Sequence, residues 1–208
     1  MEVINLKAIP IAWDQNVYRF SKKEMDQLNK IKYTNHYKSK GVFVSKNLSL
    51  LELRPFSSIK KFIIKKAEEY MKNVLEINNE IYITQSWSTI NTKGSSHELH
   101  QHPNTFLSLV YYVQCKSGSL IFKLDTTSLK ECFNFQFNIN KYNIYNSQSW
   151  ELPVRTGDMV FFPGHIHHGS TPNTSPTPRL LIGANFFIKG RLGQKHAVDL
   201  IGIKPFKP

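Results

Sequence analysis

Two histidine-bearing stretches hold the residues best suited to chemistry. HELHQHPNTFLSLVYYV (97–113) and RTGDMVFFPGHIHHGSTPNTSPTPRLLIG (155–183) contain six of the eight histidines. His100 and His102 are separated by one residue, and in extended backbone side chains two apart share a face, so both imidazoles can hold one ion. His165, His167 and His168 follow the apolar run Met159-Val160-Phe161-Phe162, which the turn residues Gly157-Asp158 precede. Arg179 lies eleven residues beyond His168 and opens a second apolar strand, Leu180 to Ile188. A close pair of imidazoles, a distant third and a fixed cation read as the halves of one metal site.

This order of residues resembles the Fe(II)/2-oxoglutarate-dependent oxygenases, and within them a prolyl-hydroxylase-like subgroup. The residues that carry the resemblance are His100-Gln101-His102-Pro103-Asn104, Ser108-Leu109-Val110-Tyr111-Tyr112, Phe162-Pro163 followed by His168, and then Arg179. It covers residues 81–188. The resemblance implies His100, His102 and His168 as iron ligands, and Arg179, helped by Tyr112, as the clamp on the distal carboxylate of 2-oxoglutarate. It implies Fe(II), 2-oxoglutarate and O2 as cofactors and admits ascorbate. The implied reaction hydroxylates an unidentified substrate with release of succinate and CO2.

Two positions depart from the family pattern. The usual iron site is two histidines and one carboxylate, whereas His102 stands where the carboxylate is expected. Either the site has three histidines or Glu98, two residues before His100 and so on the same face, replaces the missing group. The family often carries a hydroxyl two residues after the arginine; here that residue is Leu181, so the clamp has lost one donor.

Each residue also has a plainer reading. His100 and His102 could be an exposed polar pair, Arg179 could pair with an acidic residue, and Tyr112 could simply pack. His97, His165 and His167 are read as rim or surface, with His167 on the strand face opposite its neighbour. His36 has no partner at ligand spacing and is read as an ordinary loop histidine. Trp87, Asn91 and Asn185 are candidates to line the pocket. Two rival functions stay open: a three-histidine dioxygenase of the cupin type that uses no 2-oxoglutarate, and a non-catalytic jelly-roll binding module.

The elements that must position these residues read as mainly β. Ile81–Asn91, residues 105–114, Ser119–Leu124, the alternating Phe133, Phe135 and Phe137, Trp150–Val154, Asp158–Phe162 and Leu180–Ile188 form short runs separated by Pro, Gly, Asn and Ser. About eight such strands suggest a double-stranded β-helix, or jelly roll, with N-terminal helices packed on one sheet. Ser21 and Glu24 form a capping-box pattern for a short helix over about residues 22–31. Ile59, Phe62, Ile63, Ala67, Tyr70 and Met71 recur at three and four residues, so 57–75 reads as an amphipathic helix with Lys60, Lys61, Lys65 and Lys66 toward water. Residues 3–12 read as an edge strand, which Pro10 tolerates, and 33–47 as a polar loop.

The organisation expected is one oxygenase domain: 1–80 as helical cover and edge strand, 81–188 as jelly-roll core, and 189–208 as a basic tail. No apolar run approaches a membrane span, and the start lacks a signal-peptide pattern, so the expected place is the cytoplasm. Cys115 and Cys132 have no paired spacing and are expected to be reduced thiols. The net charge of +12 comes from 27 basic and 15 acidic residues. That excess attracts polyanions without specifying them; the lysines are spread out, which favours a solvated surface over a nucleic-acid site. The prime substrate stays open among a peptide side chain, a small molecule and a nucleobase.

Overall fold

The structure is a computed structural model that describes residues 1–2, 8–124, 138–193 and 201–205. Two antiparallel sheets carry the molecule. The larger has eight strands, β1 (Ala12–Asp14), β2 (Tyr33–Asn35), β3 (Val42–Ser45), β4 (Glu80–Asn91), β5 (Leu107–Gln114), β8 (Met159–Pro163), β10 (Arg179–Leu192) and β11 (Ile201–Ile203). Their order is β1-β8-β5-β10-β4-β3-β2, with β11 beside the far end of β10. The smaller has three strands, β6 (Ser119–Lys123), β7 (Ser149–Pro153) and β9 (His167–Ser170), in the order β7-β6-β9. This arrangement is the mainly β jelly roll expected from the sequence.

Alternation along the strands decides what each face of the large sheet does. Leu107, Leu109, Tyr111 and Val113 of β5, Met159 and Phe161 of β8, and Leu180, Ile182, Ala184 and Phe186 of β10 all join one buried apolar cluster with the helices. The residues between them, Val110, Tyr112, Val160, Phe162 and Leu181, face the other way into a second, smaller cluster with Leu120 and Phe122 of β6. Each such apolar side chain withdrawn from water contributes about 1.5–3 kcal/mol. The outer face therefore supplies most of the apolar core, and the inner face is left to enclose a site.

Two helices cover the outer face. Helix α1 (Lys22–Leu28) starts at the expected capping box: Ser21 Oγ accepts from Glu24 N at 3.2 Å, and Glu24 Oε2 accepts from Ser21 N at 2.9 Å. It ends earlier than expected because Lys30 N and Ile31 N turn back to Gln27 O and Leu28 O, three residues away, which tightens the chain out of the α-helix. Helix α2 (Ser57–Asn73) buries Ile59, Ile63, Ala67, Tyr70 and Met71 as its periodicity predicts. Lys61 and Lys65 are exposed, whereas Lys60 pairs with Glu52, and Lys66 with Asp14 and Glu69.

Three expectations need correction or restriction. Residues 33–45 are not a loop: β2 and β3 form a hairpin in which Gly41, at φ 73°, makes the turn, and β3 pairs with β4. The edge strand comprises Ala12–Asp14 on β8, whereas Val3 to Leu6 lie outside the described residues. Phe133, Phe135, Phe137, Cys132, Lys195 and His196 also lie outside them. In the tail, β11 pairs back onto Gly190–Leu192 of β10. Cys115 is a free, buried thiol. Among the described residues no helix is long and apolar enough to cross a membrane.

Candidate functional site

Residues 97–102 form no continuous strand, but they run antiparallel along 164–170. Ser170 N donates to His97 O at 3.0 Å and His102 N to Gly164 O at 2.9 Å. Between them His100 and His168 exchange both backbone bonds, at 2.9 and 2.8 Å. An antiparallel pair of this kind sends both side chains off one face, and the two ring centroids lie 4.3 Å apart. The His102 ring stands 5.1 Å from His100 and 5.0 Å from His168. One nitrogen from each of the three lies within 4.8 Å of the other two.

The hydrogen bonds of these rings suit a metal. His100 Nδ1 is 2.8 Å from Glu98 O and His168 Nδ1 is 3.1 Å from Ile166 O. A carbonyl only accepts, so each Nδ1 carries the proton and each Nε2 keeps its lone pair, as in metal-bound imidazoles. Burial is the main force that depresses the basicity of all three: His102 to about 4, His168 well below its ordinary value, and His100 in the same direction. They are neutral at physiological pH, which is the ligating form. Three imidazoles fit a first-row divalent ion such as Fe(II). Glu98 is exposed and does not join the group; the contact found from it to the rings is its carbonyl on His100.

A cavity of about 620 Å³ opens beside the histidines, between the inner face of the large sheet and residues 97–102 and 167–170. Trp87, Asn91 and Asn185, the pocket candidates from sequence, all line it. The Trp87 indole lies against the backbone of Gly183, where a Cβ would come within 2.5 Å of the ring, and its centroid is 5.5 Å from that of His102. Val110, Leu120 and Leu181 give the wall an apolar part. His36, read from sequence as an ordinary loop residue, reaches this wall because the β2–β3 hairpin delivers it there. Its ring is 4.5 Å from His97, which in turn is 4.6 Å from His100. His36 Nδ1 accepts from Lys38 N and Ser39 N, so it stays outside the ligand group. His97 is pushed down to about 3, by burial first and the neighbouring imidazoles second.

Arg179 begins β10 at the next inward position before Leu181 and is 1% exposed. Its Nη2 donates to Thr171 O at 3.0 Å, while Nε and Nη1 are buried without a partner. The sequence gives room for it: Gly118 sits at φ 98°, and a Cβ there would collide with Arg179 Nη2. Tyr112, fully buried, also lines the cavity, and burial holds its hydroxyl protonated against the opposing pull of Arg179. No carboxylate pairs with Arg179 among the described residues, so the plain acidic-partner reading does not hold there. A buried guanidinium with two unpaired edges fits a carboxylate ligand. Asp158, the acid of the Gly-Asp turn, is structural: its oxygens accept from Trp13 Nε1, Asn16 N and Arg155 N and tie β1 to β8.

Comparison with known proteins fits this geometry. Residues 85–185 match the model of the family described as "Putative 2OG-Fe(II) oxygenase". That span holds the three clustered histidines, Tyr112 and Arg179, and with it the chain belongs to the 2-oxoglutarate/Fe(II)-dependent oxygenases and is an enzyme of that class. No curated protein sequence matches the chain. Among solved structures, HygX from Streptomyces hygroscopicus, with nickel, 2-oxoglutarate and hygromycin B bound, is similar at a TM-score of 0.55 and 12% identity, over 86% of this chain and 82% of its own. A Pseudomonas putida prolyl-4-hydroxylase is similar at 0.56 and 10%, over 86% and 92%. A prolyl hydroxylase from Trichoplax adhaerens, in complex with a hypoxia inducible factor peptide fragment, is similar at 0.58 and 12%, over 85% and 83%. At these identities the likeness is one of fold.

Proposed function

We propose that this chain hydroxylates a prime substrate in the cavity beside His102, with His100, His102 and His168 as the ligands of Fe(II) and with Arg179 and Tyr112 holding the distal carboxylate of 2-oxoglutarate. The observation that carries the reading is the convergence of three neutral imidazole nitrogens within 4.8 Å of one another, beside a cavity lined by Tyr112 and by Asn91, the strand partner of the buried, half-unpaired Arg179. When bound, iron, cosubstrate and O2 supply the oxidation, one oxygen atom passing to the substrate and the other to succinate as CO2 leaves.

The chain's own residues bind, orient and exclude. The carbonyls of Glu98 and Ile166 fix the rings of His100 and His168 and keep their Nδ1 protons in place. Tyr112 stays a neutral donor and Arg179 a permanent cation, so together they favour an anion without any proton having to move. Val110, Leu120 and Leu181 deny water to the space between metal and substrate. The whole chain is read as one oxygenase domain acting in the cytoplasm, with residues 81–188 as its core. The prime substrate is drawn from a peptide side chain, a small molecule or a nucleobase; hygromycin B bound in one relative and a peptide in another support the first two classes.

Metal-binding variants test the ligand set. His102→Ala and His168→Ala are expected to lower Fe(II) affinity at least 100-fold in anaerobic equilibrium dialysis, while Glu98→Ala stays within a few-fold of wild type. Unchanged iron binding in both histidine variants would remove the assignment. A loss in Glu98→Ala equal to theirs would put the carboxylate back in the site.

A further inference from the structure

We infer that Asn91 is a cosubstrate-binding residue whose side-chain amide works beside Arg179 on the same carboxylate, and that the donor missing from β10 at Leu181 is supplied from β4. This rests on the reading of Arg179 as the holder of 2-oxoglutarate. Four buried side-chain nitrogen and oxygen atoms lack a hydrogen-bond partner among the described residues: Asn91 Nδ2 and Oδ1, and Arg179 Nε and Nη1. All four come from two residues, and those two stand directly opposite each other in the β4–β10 register. Both are 1% exposed. A buried polar atom left unpaired costs about 1–3 kcal/mol, so a cluster of them marks a place where a ligand completes the bonding.

The composition of the cluster says what kind of ligand. Three of the four atoms are donors and one is an acceptor. The guanidinium charge favours a negative ligand whose acceptors take the three donors, which selects a carboxylate; the one acceptor, Asn91 Oδ1, is not met by that carboxylate. The position says where the ligand's end lies. Asn91 lines the cavity, and the next inward residue on β4 is Thr89, which pairs across the sheet with Leu181. Leu181 in turn pairs on its other side with Tyr112. The apolar side chain at 181 is therefore flanked by polar groups on both neighbouring strands, and Asn91 brings an amide to the carboxylate that β10 alone cannot fully bind. The Asn91 backbone carbonyl accepts from Asn173 Nδ2 at 3.2 Å. That bond belongs to the backbone, so changing the side chain leaves it in place.

The test compares two ligands that differ only at the end in question. 2-Oxoglutarate and 2-oxobutyrate share the metal-chelating 2-oxo acid, and the second lacks the distal carboxylate. Affinities are measured by calorimetry on the Mn(II)-loaded full chain, with no turnover involved. Asn91→Ala is expected to weaken 2-oxoglutarate about tenfold, as for loss of a hydrogen bond to a charged group, and to leave 2-oxobutyrate unchanged. Asn91→Asp, nearly the same shape, is expected to weaken 2-oxoglutarate at least as much because it sets a carboxylate against a carboxylate. An Asn91→Ala protein that binds 2-oxoglutarate as wild type does, or that loses both ligands equally, overturns the inference. Arg179→Ala, run in parallel, separates the two readings. If it weakens 2-oxoglutarate selectively while Asn91→Ala does not, only the role of Asn91 fails; if Arg179→Ala has no effect, the clamp itself is wrong.

Discussion

The two faces of the large sheet are made by the same strands and have opposite economies. On the outer face, alternate residues of β5, β8 and β10 close against α1, α2 and the 50–56 turns, and the one hydroxyl they bring, that of Tyr111, donates to Tyr18 O at 3.1 Å. On the inner face the intervening residues include Asn91, Asn185, Arg179 and Tyr112, and four polar atoms remain unpaired. A one-residue offset along a strand thus separates the part that stabilises the fold from the part that spends stability to hold a ligand. The outer face is complete without partners; the inner face is complete only with them.

Substitutions on the two faces should therefore separate stability from binding, and the largest effect lies outside. Phe161 packs near Tyr70 and Phe186, at ring distances of 6.4 and 6.3 Å. Phe161→Ala is expected to cost about 3–5 kcal/mol in urea unfolding, while the folded fraction binds Fe(II) as before. A loss of iron affinity at unchanged stability would contradict the division of faces.

The next effect is one of pH on the metal-free protein. His102 titrates at about 4 when folded against an ordinary 6.5. Its depressed folded value means the unfolded chain takes up the proton first, so the contribution is fully present above pH 6.5 and lost as pH falls toward 4. For this one group that is about 3 kcal/mol. A urea midpoint that stays level between pH 7 and 4.5 would deny that the inner imidazoles are buried and neutral.

Smaller effects sharpen the contrast. Gly183→Ala places a Cβ against the Trp87 ring; the indole must shift, at a cost of about 1–3 kcal/mol, and its fluorescence should change with it. An unchanged spectrum and midpoint would mean that the indole does not rest on that strand. Arg179→Met removes a buried, half-unpaired cation. Its unfolding free energy should fall by less than about 1 kcal/mol or rise, although 2-oxoglutarate binding is lost. A large destabilisation would make Arg179 a structural residue.

Much of this division could be read in the sequence. Period-two alternation gives the strands, and the one-residue gap between His100 and His102 with His168 and Arg179 downstream gives the cluster. What sequence could not supply is long-range. His36, 61 residues before His97, meets the wall only because the β2–β3 hairpin docks on β4, and its polar run Asn35 to Lys40 shows no alternation to announce this. Asn91 could be proposed as pocket-lining, but that its amide has no partner is a property of the closed register with Arg179. Likewise Gly118 looks like a turn glycine, and only packing shows that it makes room for the guanidinium. What Glu98 presents also depends on backbone path: the residue is exposed, and its carbonyl rather than its carboxylate meets the His100 ring.

The most direct test of the central claim is an anaerobic titration of metal-free protein with Fe(II) and then 2-oxoglutarate, followed by visible absorption. A weak charge-transfer band that needs both additions, and that disappears in His168→Ala and requires far more 2-oxoglutarate in Arg179→Ala, is the expected result. Iron binding with no band at any cosubstrate concentration would contradict it and point to a three-histidine dioxygenase that uses no 2-oxoglutarate.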